Sequence, residues 1–371
     1  MKLGLLGPTA PPIDSIGKQA TRNEAGGFDS VWFPDHLMGW YPESIWTPDV
    51  SPIAELRDSP HSFFEATNSM TLAADATTEV RVGSCVTEVL RRHPAMLAQS
   101  LVTVDHVSEG RAVLGIGAGE AENAEPYGIQ YRRPVSRLEE ALEILELLWN
   151  SEPRATIDYE GEFWTLENAI FDLPLYDGDP PPIWIGAHGP RMLSITSRFA
   201  DGWLPADLTL DGYRDRWTDL STNLEERDRD PASFTAGLFT NLIVGESEAE
   251  CLEMMDTPMV KARALGLPPE RYEAVGASHP LGDEGGITHY TPSKLSRQEA
   301  LSAVESVPVE AIEPSTFYGT AEDIIDQIEA YEAVGLDHLI FWNETPFGDP
   351  GKVEYSYQEL DKVVEYYDDR A

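Results

Sequence analysis

Cysteine is almost absent from this 371-residue chain: Cys85 and Cys251 are the only two, too few for a disulfide framework and without metal-site spacing. Basic charge is scarce as well. Lysine occurs only at positions 2, 18, 261, 294, 352 and 362, and 26 basic residues stand against 65 acidic ones, a net charge of −39. A surplus of that size repels nucleic acid and anionic membranes, so neither is an expected partner. No apolar run approaches the ~20 residues needed to cross a bilayer, and the opening Met1-Lys2-Leu3-Gly4 turns polar too soon for a secretory signal. The expectation is a soluble, cytoplasmic protein.

The acidic residues are dispersed among segments with ordinary hydrophobic patterning, so they form a solvated surface and not a disordered tail. Such self-repulsion suits a cytoplasm salty enough to shorten screening to about 3 Å. A halophilic, archaeal source is therefore expected, with an ordinary acidic protein as the alternative.

Short β-prone runs recur at 2–6, 30–33, 80–84, 112–115, 183–186, 202–204, 238–244 and 338–342. Between them, apolar residues fall at helical spacing, most clearly over 94–107, 136–149, 190–199, 247–265 and 321–334. Eight strands with helical crossovers imply parallel pairing, and a closed (β/α)8 TIM barrel accounts for both count and length. A doubly wound open sheet is the alternative. The expected organisation is one α/β barrel domain over 1–371, with insertions near 39–60, 155–175 and 266–307. The first and last of these have the length of lids or binding walls.

Four polar constellations follow predicted strands, which in a barrel gathers them on the catalytic face. The first is Phe33-Pro34-Asp35-His36-Leu37-Met38-Gly39-Trp40. A histidine there can exchange a proton, Asp35 can hold its tautomer or accept from a ring nitrogen, and Trp40 offers a flat apolar wall. A structural Asp-His pair is the bland reading. The second, Gly83-Ser84-Cys85-Val86-Thr87, runs into Arg92-His93-Pro94 and can bend tightly under a ring. By themselves Cys85 reads as a core thiol and His93 as structural.

The third, Gly115-Ile116-Gly117-Ala118-Gly119-Glu120-Ala121-Glu122-Asn123, lets backbone approach a ligand closely. Glu120 breaks the G-x-G-x-x-G pattern, which excludes a Rossmann site. Glu120 and Asn123, three apart at an expected helix start, both face the pocket, with capping as the alternative role of Asn123. The fourth, Ile185-Gly186-Ala187-His188-Gly189-Pro190-Arg191, turns into a helix whose free N–H groups suit a phosphate, assisted by Arg191. An ordinary βα turn is the alternative. The chain has no P-loop, zinc cluster, nucleophile elbow or HExxH helix, and no metal is expected.

Together these segments resemble the bacterial luciferase-like superfamily in its F420-dependent branch, over nearly the whole chain. Asp35-His36 with Trp40 is similar to the active-site signature of F420-dependent glucose-6-phosphate dehydrogenases, and Gly117-Ala118-Gly119-Glu120 with Asn123 to the same family's G-x-G-E-x-x-N segment. Val86-Thr87 through Arg92-His93-Pro94-Ala95, and Gly319-Thr320-Ala321-Glu322 leading to Gly335-Leu336-Asp337-His338-Leu339, resemble its third and last units. Ala124-Glu125-Pro126-Tyr127-Gly128, Phe171-Asp172-Leu173-Pro174 and Ala187-His188-Gly189-Pro190-Arg191-Met192-Leu193 are similar to phthiodiolone ketoreductases.

The resemblance implies an oxidoreductase that moves a hydride between coenzyme F420 and a small organic molecule, a carbonyl/alcohol pair, working as a homodimer. It implies His36 and Glu120 as catalytic residues. Around the coenzyme it implies Asp35, His36, Trp40, Cys85, Val86, Glu120, Asn123, Ala187, His188 and Gly189, with a non-prolyl cis peptide at Cys85–Val86. Gly7-Pro8-Thr9 departs from the acidic residue of the sugar-phosphate dehydrogenases, and their cationic pocket has no counterpart, which argues against glucose 6-phosphate. The alternatives are an FMN-dependent luciferase-like monooxygenase, a methylenetetrahydromethanopterin reductase, and a coenzyme-binding barrel without activity.

Overall fold

A computed structural model describes residues 1–282, 285–368 and 370. Asp283 and Glu284, in the expected 266–307 insertion, and Asp369 and Ala371, at the end of the expected 1–371 domain, lie outside the described residues. The strands are β1 (Lys2–Leu6), β2 (Ser30–Phe33), β3 (Arg81–Ser84), β4 (Ala112–Ile116), β5 (Ile157–Glu160), β6 (Thr165–Ala169), β7 (Ile183–Ile185), β8 (Gly202–Trp203), β9 (Thr235–Val244), β10 (Thr316–Gly319) and β11 (His338–Asn343). Among the described residues, eight of them close in the order β1-β2-β3-β4-β7-β8-β9-β11, back onto β1.

Every pairing in this ring is parallel, from Gly4↔Ser30 at β1–β2 to Lys2↔His338 at β1–β11. The expected (β/α)8 barrel is therefore present, on the eight runs read from the sequence. β10 is an addition, pairing only with the C-terminal half of β9.

Trp32, Trp184, Phe239 and Ile340 fill the barrel interior together with Cys85 and Val113. Trp32 fits because Gly83 sits opposite it on β3, where a Cβ would lie 2.3 Å from the indole. Close packing leaves no room for both. Outside the ring, the helix Pro134–Trp149 turns Leu138, Ala141, Leu142 and Leu145 onto the strands. That is the i, i+3, i+4, i+7 stripe of an amphipathic helix, each buried leucine contributing about 1.5–3 kcal/mol.

The helix read over 94–107 runs Pro94–Ser108 with Pro94 in its first turn, and His93 Nδ1 accepts from Ala95 N at 3.1 Å as its cap. The single helix expected over 247–265 is two, Glu248–Met255 and Pro258–Ala264. Proline cannot continue a helix and pushes the preceding residue to extended backbone, and Thr257 has ψ 151°.

The 39–60 and 266–307 insertions join in a further apolar core, in which Tyr41, Ile45 and Trp46 meet Tyr272, Tyr290 and Val304 together with Met254, Met255 and Val260 from the two helices before the second insertion. Arg297 fastens the two, donating to Ser44 O at 3.1 Å and Thr47 Oγ1 at 2.9 Å. The 155–175 insertion is the antiparallel hairpin β5–β6. Its turn is held by Glu140, which accepts from Glu162 N at 2.9 Å and Trp164 N at 2.7 Å. No helix among the described residues is long and apolar enough to cross a membrane.

Candidate active site

His36 leaves the end of β2 with its ring between Trp40 (centroids 5.2 Å apart, edge-on) and Phe63 (5.3 Å). Its protonation pattern is set from β4. Asn123 Oδ1 accepts from Leu37 N at 2.7 Å and Met38 N at 3.1 Å, which turns the amide nitrogen toward His36 Nδ1 at 2.9 Å. Nδ1 lies 3.1 Å from Met38 O as well, which would accept from it, but the shorter contact with the Asn123 amide N–H favours the neutral tautomer that carries its proton on Nε2. His36 also borders a cavity of about 230 Å³ whose wall includes Trp40, Trp46, Phe63, Phe341, Trp342 and Phe347. Nε2 has no hydrogen-bond partner among the described residues, so its proton is free for a bound molecule.

Asp35 does not take the tautomer-setting role read from its position. Its carboxylate accepts from Thr87 Oγ1 at 2.6 Å, lies 3.2 Å from Arg91 and pairs directly with Arg92. Burial pushes this carboxyl up, and the Arg91 and Arg92 charges more than reverse it, leaving it below the usual carboxylate range. Backbone spacing explains the change: neighbouring residues on extended chain point to opposite sides.

Glu120 and Asn123 were expected on a helix start. Glu120 instead precedes, and Asn123 ends, a 3-10 turn, Ala121–Asn123, followed by a second turn, Glu125–Tyr127, that ends at Gly128 in the left-handed region (φ 75°). Both still reach His36, Glu120 Oε2 lying 3.7 Å from Nδ1. Asn123 is no cap. Ile287 O accepts from Ala121 N at 3.2 Å and Tyr290 donates to Trp40 O at 2.8 Å, so the 266–307 insertion sits directly against this turn.

Glu122 went unread. It is fully buried, one oxygen is 3.7 Å from His36 Nδ1, and neither oxygen has a hydrogen-bond partner. Burial, reinforced by the charge of Glu120, raises its carboxyl well above the ordinary value. Its alternation with Glu120 in Gly-Glu-Ala-Glu-Asn was the available signal, and assuming a helix hid it.

The peptide Cys85–Val86 is cis, as the resemblance implied. Cys85 faces the barrel core and the cavity, where burial pushes its thiol up and keeps it from acting as a nucleophile. Val86 is half-buried beside Gly117, whose Cβ would come within 2.9 Å of the valine. Farther round the mouth, Ala187 is buried and its carbonyl accepts from Trp203 Nε1 at 2.8 Å, while His188 and Gly189 are exposed. Gly189 precedes the helix Pro190–Phe199, and a Cβ on it would meet nothing within 4 Å, so the first-turn N–H groups are open to a ligand. Arg191, expected to assist there, is held by Glu139 at 2.9 Å and Ser136 at 3.0 Å. Arg216 lies under the turn instead, donating to His188 O at 3.1 Å.

On the far side of the cavity, Tyr41 leads to a buried charge cluster. Its hydroxyl donates to Glu344 at 3.3 Å, and Arg263 donates to Glu344 at 3.0 Å and to Asp207 at 3.3 Å. Burial raises the Glu344 carboxyl to about 7 in spite of Arg263.

An eight-stranded parallel barrel with its polar side chains collected beyond the strand ends is the architecture of barrel enzymes. Within that class, the chain belongs to the luciferase-like family, whose model, described as luciferase-like monooxygenase, matches residues 2–338. It is 38% identical over 321 residues to a Mycobacterium kansasii protein named phthiodiolone/phenolphthiodiolone dimycocerosates ketoreductase, covering 85% of this chain and 87% of the relative. It is 27% identical over 336 residues to the F420-dependent glucose-6-phosphate dehydrogenase of Nakamurella multipartita, covering 87% and 84%. Among solved structures it is similar to an F420-dependent secondary alcohol dehydrogenase in complex with an F420-acetone adduct. The TM-score is 0.77 at 21% identity, over 98% of this chain and 97% of the other, which speaks for the fold alone.

Proposed function

We propose that this luciferase-like oxidoreductase is F420-dependent and moves a hydride between the deazaflavin and a small carbonyl/alcohol pair. The observation that carries the reading is the unpartnered Nε2 of His36 at the rim of an aromatic cavity, backed by Glu120 and Asn123. A cavity of about 230 Å³ is below the roughly 300–1,000 Å³ of drug-sized sites, so it takes a small molecule or one end of a longer one.

The residues present fit the coenzyme. Trp40 lines the cavity edge-on to His36, Gly117 clears space beside Val86, and Gly189 leaves a helix start open for a phosphate. When bound, the deazaflavin supplies or takes the hydride at one ring carbon. The chain's own residues do the rest. Trp40 and Val86 offer apolar surface to a planar ring, the aromatic wall excludes water, and His36 Nε2 exchanges a proton with the substrate oxygen while Glu120 faces the ring's other nitrogen.

Sugar phosphates fit poorly. Arg57, the cavity's one cation among the described residues, donates to Thr9 Oγ1 at 3.0 Å and Ser62 O at 2.8 Å and is spent on its own loop. The FMN-dependent monooxygenase reading is favoured by one observation, the monooxygenase description of the matching family. The proposal includes a single barrel domain over 1–371 acting as a cytoplasmic homodimer, and the −39 charge supports a halophilic source.

The test is a fluorescence titration of the protein in molar KCl with oxidised F420 and, separately, FMN. Saturable binding of F420, followed by deazaflavin absorbance changes with small secondary alcohols or ketones, is expected. Binding of FMN in preference moves the protein to the monooxygenase reading, and binding of neither ends the coenzyme assignment.

A further inference from the structure

Glu122 carries a consequence that the proposed function does not use. Its carboxyl is fully buried, neither oxygen receives a hydrogen bond, and one oxygen each from Glu120 and Glu122 lies with His36 Nδ1 inside a 4.8 Å cluster. The titratable groups around it are His36, Glu120, Tyr127, Tyr131 and Tyr290, and among the described residues no lysine or arginine pairs with it. The Trp40 indole N–H is the one donor turned toward it, but burial and the neighbouring charge of Glu120 outweigh that help, and with no paired cation the group keeps a proton. Two other features complete a path. His36 Nδ1 accepts from Asn123, and Met38 O, 3.1 Å from Nδ1, is placed to accept a hydrogen bond once a proton sits there.

We infer that Glu122 is the proton reserve of the site, giving its proton to His36 Nδ1 as the Nε2 proton passes to the substrate oxygen. This rests on the proposed hydride transfer. As the hydride, from the reduced deazaflavin, adds to the carbonyl carbon, the C=O π pair moves to oxygen and takes the Nε2 proton. The N–H pair left on Nε2 becomes a lone pair; the Asn123 amide N–H turns from Nδ1 to Glu120 Oε2, 3.3 Å away, and the freed Nδ1 lone pair takes the Glu122 proton as the 3.7 Å gap between them closes. The ring ends neutral in its other tautomer, donating to Met38 O, and Glu122 ends as a carboxylate. Glu120, about a fifth exposed, links it to water for reprotonation. In alcohol oxidation the same protons run backward. Glu122 touches neither substrate nor coenzyme; it is a positioning residue acting through His36.

The experiment compares wild type, Glu122→Gln and Glu122→Asp. Infrared spectra of the coenzyme-free proteins at pH 7 should show a protonated-carboxyl carbonyl stretch that is lost in the glutamine variant. With F420 and a ketone, Glu122→Gln should lower kcat at least about tenfold, short of the ~10²–10⁴ typical of a direct acid. Coenzyme affinity should stay unchanged, and Glu122→Asp should recover part of the rate. No band lost in Glu122→Gln means Glu122 is ionised, and a lost band with kcat unchanged means its proton is idle. Either result overturns the inference. Failure of wild type to bind F420 is a separate outcome: it refutes the hydride transfer itself, and the relay with it.

Discussion

Replacing Glu344 with glutamine keeps the shape of a fully buried side chain and removes its proton. The wild-type carboxyl sits at about 7 against an ordinary 4.5, because burial outweighs the attraction of Arg263. That gap is worth about 3 kcal/mol, at about 1.36 kcal/mol per pH unit. The folded protein holds this proton more tightly than the unfolded chain does. Its contribution is therefore fully present below pH 4.5 and is lost as pH rises through about 7. Between pH 5 and pH 8 the wild type should lose about 2 to 3 kcal/mol from this group, and Glu344→Gln should lose none of it. Urea unfolding of both proteins at pH 5, 6, 7 and 8, at one ionic strength, isolates the effect, because titrations elsewhere cancel in the difference. A difference that stays flat from pH 5 to pH 8 would refute the argument that desolvation beats the ion pair at this position.

Arg92→Met leaves the buried Asp35 carboxylate with Arg91 alone and should destabilise the fold by about 3 kcal/mol at pH 7. Because the Asp35 carboxyl is held below its ordinary 3.8, the stability it lends is present above that value and lost as pH falls. The deficit, read from urea midpoints, should therefore narrow in acid. Gly189→Ala adds a methyl group to empty space at φ −88° and should leave the unfolding midpoint unchanged. It should weaken F420 binding several-fold in the fluorescence titration, and equal affinity would show that no ligand passes that helix start.

The barrel was legible because its strands are nearly continuous apolar runs, as strands buried on both faces must be. β10 escaped because Thr316–Gly319 is short and has Tyr318 half-exposed. The helix Ser15–Ala25 escaped for a related reason, burying only Ile16, Ala20 and Asn23 on an otherwise polar sequence. His36, Glu120 and Asn123 stood out as polar residues just past strands, and the structure brings them together. The burial of Glu122 and the arginine partners of Asp35 were not legible. Both depend on which distant segments fill the space around a carboxyl, and neither periodicity nor spacing records that.

The two apolar cores divide labour in a way that bears on how this chain can change. His36 and Glu120 follow strands anchored in the barrel, whereas much of the cavity wall, Trp40, Tyr41, Trp46 and Phe347, packs into the core that the insertions share with the helices Glu248–Met255 and Pro258–Ala264. Substitutions in separate cores, without shared partners, have nearly additive effects. Positions in the inserted segments away from Ile287 and Tyr290, which touch the Ala121 turn and Trp40, can therefore change the cavity wall with least effect on His36, Glu120 and Asn123, and are the natural place to redirect the enzyme by design.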